Sequence, residues 1–244
     1  VACFACGEKK HDAKAVAKVV DAGPPPAPKV ELPAARELPK GKLAAVEAPA
    51  DNPLTAEKAE LGWLLFFDKR LSKDGSKACA DCHHAAKAYT SGEALDAKVG
   101  GAMNKRNAQS MVNLGYAKSW YWDGRAATLE AVSLAAWKGQ LGAEPAEAAA
   151  ALAKNATYKA LFQRAFKAAP SADNVPLALA SFFRSLGSTE TAWDKYEAGD
   201  KKAVSADAIK GFAAFKKRGC VNCHVPGAFS DFGFHRVAAM PAAD

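Results

Sequence analysis

Cys79-Ala80-Asp81-Cys82-His83 and Cys220-Val221-Asn222-Cys223-His224 are two Cys-x-x-Cys-His pentads in a chain of 244 residues that holds only 6 Cys and 5 His. Two thiols at this spacing can add across the two vinyl groups of one porphyrin, and the adjoining imidazole can turn back onto its iron. The pattern is the attachment signature of c-type haem. The pentads therefore predict two covalently attached haem c groups, anchored by Cys79 with Cys82 and by Cys220 with Cys223. His83 and His224 are the predicted iron ligands. Paired Cys-x-x-Cys motifs also build tetrahedral zinc sites, but there the second pair follows after roughly 15–20 residues. Here the pairs lie far apart in the chain, and each brings its own His. A redox dithiol belongs in an alternating strand and helix pattern, which this sequence lacks.

The elements that must position these pentads read as helices. Residues 56–67 carry apolar side chains at 61, 64, 65 and 67, a helix-face spacing with Thr55 as the cap. Pro145 and Asn155 bracket an Ala-rich helix over 146–154, and a further helix spans 158–168. Pro176 suits the first turn of a helix that reaches Leu186 and stops at Gly187. Ser205 caps a helix that runs through Ile209, Phe212 and Phe215 into the second pentad. No segment shows convincing period-two alternation, so the fold class is all-α. Gly62-Trp63-Leu64-Leu65-Phe66 precedes the first pentad and Gly211-Phe212-Ala213-Ala214-Phe215 the second. This weak repeat predicts two related haem units, over residues 54–170 and 171–244.

Residues 1–53 read as a tether. Val1-Ala2-Cys3 resembles the end of a bacterial lipoprotein signal, which predicts a lipid anchor through Cys3; a local Cys3–Cys6 disulfide or two free thiols is the alternative. The following stretch, rich in Ala, Pro, Lys and Glu and including Gly23-Pro24-Pro25-Pro26, cannot bury enough apolar surface to offset its ordering entropy. No apolar run approaches the roughly 18 residues of a membrane span. The formal net charge of +7 favours acidic partners, before haem propionates lower it. No basic stripe interleaved with aromatics points to nucleic acid.

Further motifs carry a family resemblance over about residues 55–236. They are Glu60-Leu61-Gly62 with Leu65-Phe66-Phe67-Asp68-Lys69-Arg70-Leu71-Ser72, then Arg106-Asn107, then Tyr121-Trp122-Asp123-Gly124-Arg125-Ala126. Trp193-Asp194-Lys195-Tyr196, Gly199-Asp200, Phe229-Ser230-Asp231 and Phe234-His235 complete the set. Together they resemble the bacterial dihaem cytochrome c peroxidases, whose relatives include dihaem enzymes that oxidise Trp residues of partner proteins. The resemblance implies an N-terminal haem that meets hydrogen peroxide and a C-terminal haem that receives electrons from a small cytochrome c or copper protein. It implies that Trp122 lies between the haems and couples them, and that Asn107 is a calcium ligand, a hard oxygen donor of the kind calcium takes. A periplasmic location in a Gram-negative bacterium follows from it, with a homodimer among the expected assemblies.

The chain departs from that pattern in three places. No His occurs between His84 and His224, so the loop ahead of Arg106 cannot supply the second His with which many family members block the resting peroxide site. An open site is expected, with Met103 as the alternative sixth ligand. Where the family carries Glu-Met-Gly, this chain has Gln140-Leu141-Gly142. Gln140 can orient peroxide but cannot relay its proton, and losing such a relay typically costs about 10²–10⁴ in rate. Glu144, four residues on, substitutes for that relay if the loop bends inward; the alternative is a solvated Glu at a helix start, favoured by the dipole. Third, the sequence as given ends soon after the second pentad, which predicts an incomplete second unit with Met240 as its remaining local thioether ligand. Two rivals stay open: a plain electron carrier, and an oxidase acting on a partner protein through Trp122.

Overall fold

The computed structural model describes residues 31–35 and 45–235. Cys3, Cys6 and Met240 lie outside them, with most of the expected tether. The described residues from Leu32 onward belong to one unit. Its helices are α1 Ala56–Phe66, α2 Leu129–Gly139, α3 Pro145–Leu152, α4 Ala156–Phe166, α5 Asn174–Ser185, α6 Ala192–Glu197 and α7 Ala206–Lys217, and both pentads open on a 3₁₀ turn. The fold is all-α. Among the described residues there is no strand; isolated bridges His84–Thr90, Ala97–Met103 and Trp120–Ala126 close loops.

The helices begin where their caps dictate. Thr55 accepts from the Lys58 amide, Ser205 from that of Ala208 and Asn155 from that of Tyr158, each side chain satisfying an amide that has no partner within its helix. Pro145 takes the first position of α3, where its missing amide costs nothing. Pro176 lies inside the first turn of α5, two residues after its start. α2 has no counterpart among the predicted helices. It buries Leu129, Ser133 and Trp137, and the Ser in the middle of that stripe hides it from a search for apolar spacing.

The core forms where α1 meets α5. Leu61, Leu65 and Phe66 of α1 are fully buried, as are Val175 and Ala178 of α5. Gly62 lets the two backbones meet: a Cβ there would stand 2.0 Å from the Ala178 carbonyl oxygen. The expected boundary between residues 170 and 171 therefore precedes a helix that is packed into the core of the first unit. Asn52, read as part of a flexible linker, is fully buried. It donates to Glu130 Oε1 at 2.8 Å and to the Leu177 carbonyl at 3.1 Å, and accepts from Lys58 Nζ at 3.1 Å. Glu130 in turn receives both terminal nitrogens of Arg184 at 2.6 and 3.0 Å. A polar network that joins the approach to α1, α2 and α5 is thus almost completely paired, as burial demands. By contrast, neither α6 nor α7 buries a residue.

Candidate functional site

The first pentad sits on a 3₁₀ turn, Cys79–Asp81, closed by the His83 amide on the Cys79 carbonyl at 3.1 Å. The Asp81 carboxylate reaches back to the Ala78 amide at 2.8 Å and fixes the start of the turn. His83 Nδ1 donates to the Tyr89 carbonyl at 2.7 Å. Tyr89 has φ +59°, a left-handed backbone that is uncommon for a residue with a side chain. With Nδ1 occupied, the nitrogen left to ligate is Nε2, the arrangement that sets tautomer and ring orientation in metal-bound His. Burial pushes the His83 pKa down, favouring the neutral imidazole that a ligand must be.

The second pentad repeats this arrangement. Cys220–Asn222 is again a 3₁₀ turn, with the His224 amide 2.9 Å from the Cys220 carbonyl. His224 Nδ1 donates to the Phe229 carbonyl at 3.1 Å, and Phe229 has φ +52°. The surroundings differ. Phe66 packs edge-on against Tyr89 beside the first site, whereas His224 is exposed and meets the Phe215 ring at 5.7 Å. Trp193 and Phe212 pack on Phe229 at about 6 Å, at 6.1 and 6.0 Å between centroids. Asp231 accepts from His235 Nε2 at 2.7 Å, and both approach the Cys223 sulfur.

Both pentads fit a haem, and the surroundings of the first favour neutral thiols. Burial pushes the Cys79 thiol up to about 12 and raises that of Cys82, so the thiolates that zinc requires are disfavoured. Thioether formation with a vinyl group needs no standing charge on sulfur.

The Trp-Asp-Gly-Arg segment forms a tight turn closed by the Trp120–Ala126 bridge. Asp123 receives Arg106 at 2.7 Å and Arg125 at 2.8 Å. These hydrogen bonds, Arg106 first, hold its carboxyl down at about 2. Trp122 is 54% exposed, and its indole N–H donates to the Asn107 carbonyl at 2.9 Å. The Asn107 side-chain nitrogen donates to the Glu93 carbonyl, which leaves its Oδ1 for another partner. Trp122, Asn107, Arg106, Lys105 and Leu95 line an open cleft of about 430 Å³.

Gln140 is the C-cap of α2 and lies against the loop that precedes Arg106. Its carbonyl accepts from the Val99 amide at 2.9 Å, and its Oε1 accepts from Asn104 Nδ2 at 2.8 Å. Met103 is 55% exposed in the same loop. Glu144 is exposed and caps α3 without a side-chain hydrogen bond, as its sequence position suggests. Sequence reasoning missed Asn104 and the Tyr89 and Phe229 carbonyls. A carbonyl leaves no mark in the residue alphabet. Asn104 stood in the loop searched for histidine ligands, but its neighbour Gln140 is 36 positions away.

An all-helical frame with two pentads whose histidines are each clamped through Nδ1 defines a c-type haem protein. The family model for di-haem cytochrome c peroxidases matches residues 56–202. The chain belongs to that family. It is 38% identical over 205 residues to the methylamine utilization protein MauG of Methylophilus methylotrophus, covering 82% of this chain and 61% of that one. It is 36% identical over 205 residues to the cytochrome-c peroxidase IdrP1 of Denitromonas iodatirespirans, covering 82% of this chain and 54% of that protein. A crystal structure of a MauG-like protein associated with microbial copper homeostasis superposes with TM-score 0.72 at 29% identity, over 84% of this chain and 63% of that one. The chain thus spans roughly half to three fifths of the length of these two relatives. No helix among the described residues is long and apolar enough to cross a membrane.

Proposed function

We propose that this chain belongs to a peroxidase that reduces hydrogen peroxide to water with electrons from a small periplasmic cytochrome or copper protein. In the balanced reaction, two electrons and two protons convert one peroxide into two waters. Two covalently attached haem c groups, held by Cys79, Cys82 and His83 and by Cys220, Cys223 and His224, would supply the redox chemistry when bound. The observation that carries the reading is the repeated clamp, in which His83 and His224 each commit Nδ1 to a backbone carbonyl and keep Nε2 for iron. The first pentad is the peroxide side and the exposed second pentad the electron-entry side. Gln140 offers peroxide an amide N–H but no transferable proton, so turnover is slow compared with a chain that has Glu there. Asn107 keeps an oxygen free for calcium, and Cys3 carries the lipid anchor. The test is donor-dependent peroxide consumption by the haem-loaded protein. Full loading with no turnover from any reduced cytochrome or copper protein would rule the reading out.

The second reading is oxidation of a partner protein through Trp122. Its support is the exposure of that indole and the similarity to MauG proteins. Peroxide-dependent modification of a partner, lost in Trp122→Phe, would favour it over the first.

A further inference from the structure

We infer that Asn104 is the positioning residue that decides which end of the Gln140 amide meets an incoming peroxide. The inference rests on the reading of Gln140 as lining the peroxide side of the first haem site.

The orientation follows from a carbonyl whose role cannot be reversed. Asp96 O accepts the Asn104 backbone amide at 2.9 Å and Asn104 Nδ2 at 3.0 Å. A carbonyl oxygen only accepts, so the nitrogen end of the Asn104 side chain must face it. The second hydrogen on that nitrogen points at Gln140 across 2.8 Å, so Gln140 must present its oxygen there. Its Nε2 then faces away, and it has no hydrogen-bond partner among the described residues. Backbone bonds hold the same geometry: the Val99 amide donates to the Gln140 carbonyl, and the Lys73 amide to the Leu141 carbonyl, each at 2.9 Å. The 96–104 loop therefore grips Gln140 by main chain and side chain together. Asp96, which anchors that grip, accepts from Ser91 Oγ at 3.0 Å, and Ser91 is 1% exposed. The grip is rooted in the packed protein.

The result is an amide locked with two N–H donors outward and its acceptor spent. Such a group holds an oxygen ligand by donation and cannot draw a proton from it. Asn104, acting through Gln140, makes the pocket a hydrogen-bond donor.

Carbon monoxide on the reduced first haem reports this directly, because a donor close to its oxygen lowers the C–O stretching frequency. Gln140→Leu should shift the band upward. Asn104→Asp should shift it the same way, since a carboxylate at 104 draws Nε2 towards itself and turns Oε1 outward. Asn104→Ala, which adds no charge, should broaden the band or split it in two as the amide loses its fixed orientation. In the Gln140→Leu background, Asn104→Asp should add no further shift. A band unmoved by Gln140→Leu would overturn the inference. So would one that Asn104→Asp and Asn104→Ala both leave as in the wild type. An equal Asn104→Asp shift with and without Gln140 would overturn it too, by showing a field effect of the new charge. Peroxide turnover is measured on the same samples. Absent turnover with the expected band pattern would remove the peroxidase reading and leave the positioning role standing.

Discussion

Alanine at Gly62 and at Gly211, the matched glycines ahead of the two pentads, should have opposite effects on stability. At Gly62 the added Cβ would stand 2.0 Å from the Ala178 carbonyl oxygen and 2.7 Å from both the Ala178 carbonyl carbon and Phe182 Cβ. The first two are backbone atoms of α5, which cannot rotate away, so α1 and α5 must separate by about 1 Å. Overpacking of a core typically costs about 1–3 kcal/mol, and a clash between two backbones belongs at the upper end. Alanine recovers about 1 kcal/mol of helix propensity. The net loss is about 2 kcal/mol, which for a chain of this size lowers Tm by roughly 4–8 °C. At Gly211 nothing among the described residues lies within 4 Å, so only the propensity gain remains, and Tm should rise by roughly 2–4 °C. Thermal and denaturant unfolding of equally haem-loaded proteins, followed by circular dichroism, measures both. A neutral Gly62→Ala would refute the argument from close approach. A Gly211→Ala as damaging as Gly62→Ala would mean that α7 carries a packed surface which the described residues do not supply.

Gln140→Glu should raise peroxide turnover by about 10²–10⁴, because a carboxylate still accepts from Asn104 and can also move a proton; unchanged kcat with peroxide still binding would show that proton transfer is not limiting. Trp122→Phe should slow electron arrival at the first haem while leaving both haems attached, and equal rates in rapid-mixing experiments would reduce Trp122 to a packing residue. Glu130→Ala strands Arg184, whose side chain is 5% exposed, and should cost about 3–5 kcal/mol in denaturant unfolding. Burial pushes the Glu130 pKa up, but its bonds from Arg184 and Asn52 outweigh this and leave it below the usual value. The stability it contributes is therefore complete above the unfolded carboxyl pKa, about 4.3, and is lost as pH falls through the lower folded value. Glu130→Gln should flatten this acid limb of the stability curve. In the resting ferric protein the first haem should give a high-spin EPR signal and bind cyanide without prior reduction; purely low-spin spectra at full loading would count against an open site.

What the sequence makes legible is what short-range chemistry determines. Thr55, Asn155 and Ser205 mark helix starts because a cap needs only a side-chain oxygen beside unpaired amides, and the pentads announce themselves because haem attachment fixes both spacing and residue type. Longer-range arrangements are hidden. Asn52, Lys58, Glu130 and Arg184 are polar residues far apart in the chain, yet they meet in one largely buried network. α2 escapes because Ser133 interrupts its buried stripe. The placement of α5 depends on Gly62, and a glycine looks the same whether or not a helix crosses it. Gly62 and Gly211 occupy equivalent positions in the two repeats, but only the first meets a neighbouring backbone among the described residues.

The clamps on the two histidines show how such hidden features can still be regular. The carbonyl that holds His83 lies six residues on, at Tyr89, while the one that holds His224 lies five on, at Phe229. A fixed spacing rule would find only one of them. What they share is an aromatic residue in the left-handed region, at φ +59° and +52°, a conformation that costs a bulky side chain energy. In each case the ring packs into a neighbouring aromatic cluster, Tyr89 with Phe66 and Phe182, Phe229 with Trp193 and Phe212. Burial of a large apolar ring offsets that cost, since an aromatic contact contributes about 0.5–1.5 kcal/mol beyond its area. The turn that aims the carbonyl at imidazole is thus stabilised from behind by the ring. Replacing Tyr89 or Phe229 with Gly would keep the backbone angle accessible and remove the anchor. Replacing either with Leu would keep apolar bulk and lose the ring contacts. If aromatic packing holds the clamp, both changes should loosen imidazole orientation and broaden the low-field EPR features of the corresponding haem. If backbone freedom alone sufficed, Gly would leave those features sharp, and the aromatic identity of these two positions would need another explanation.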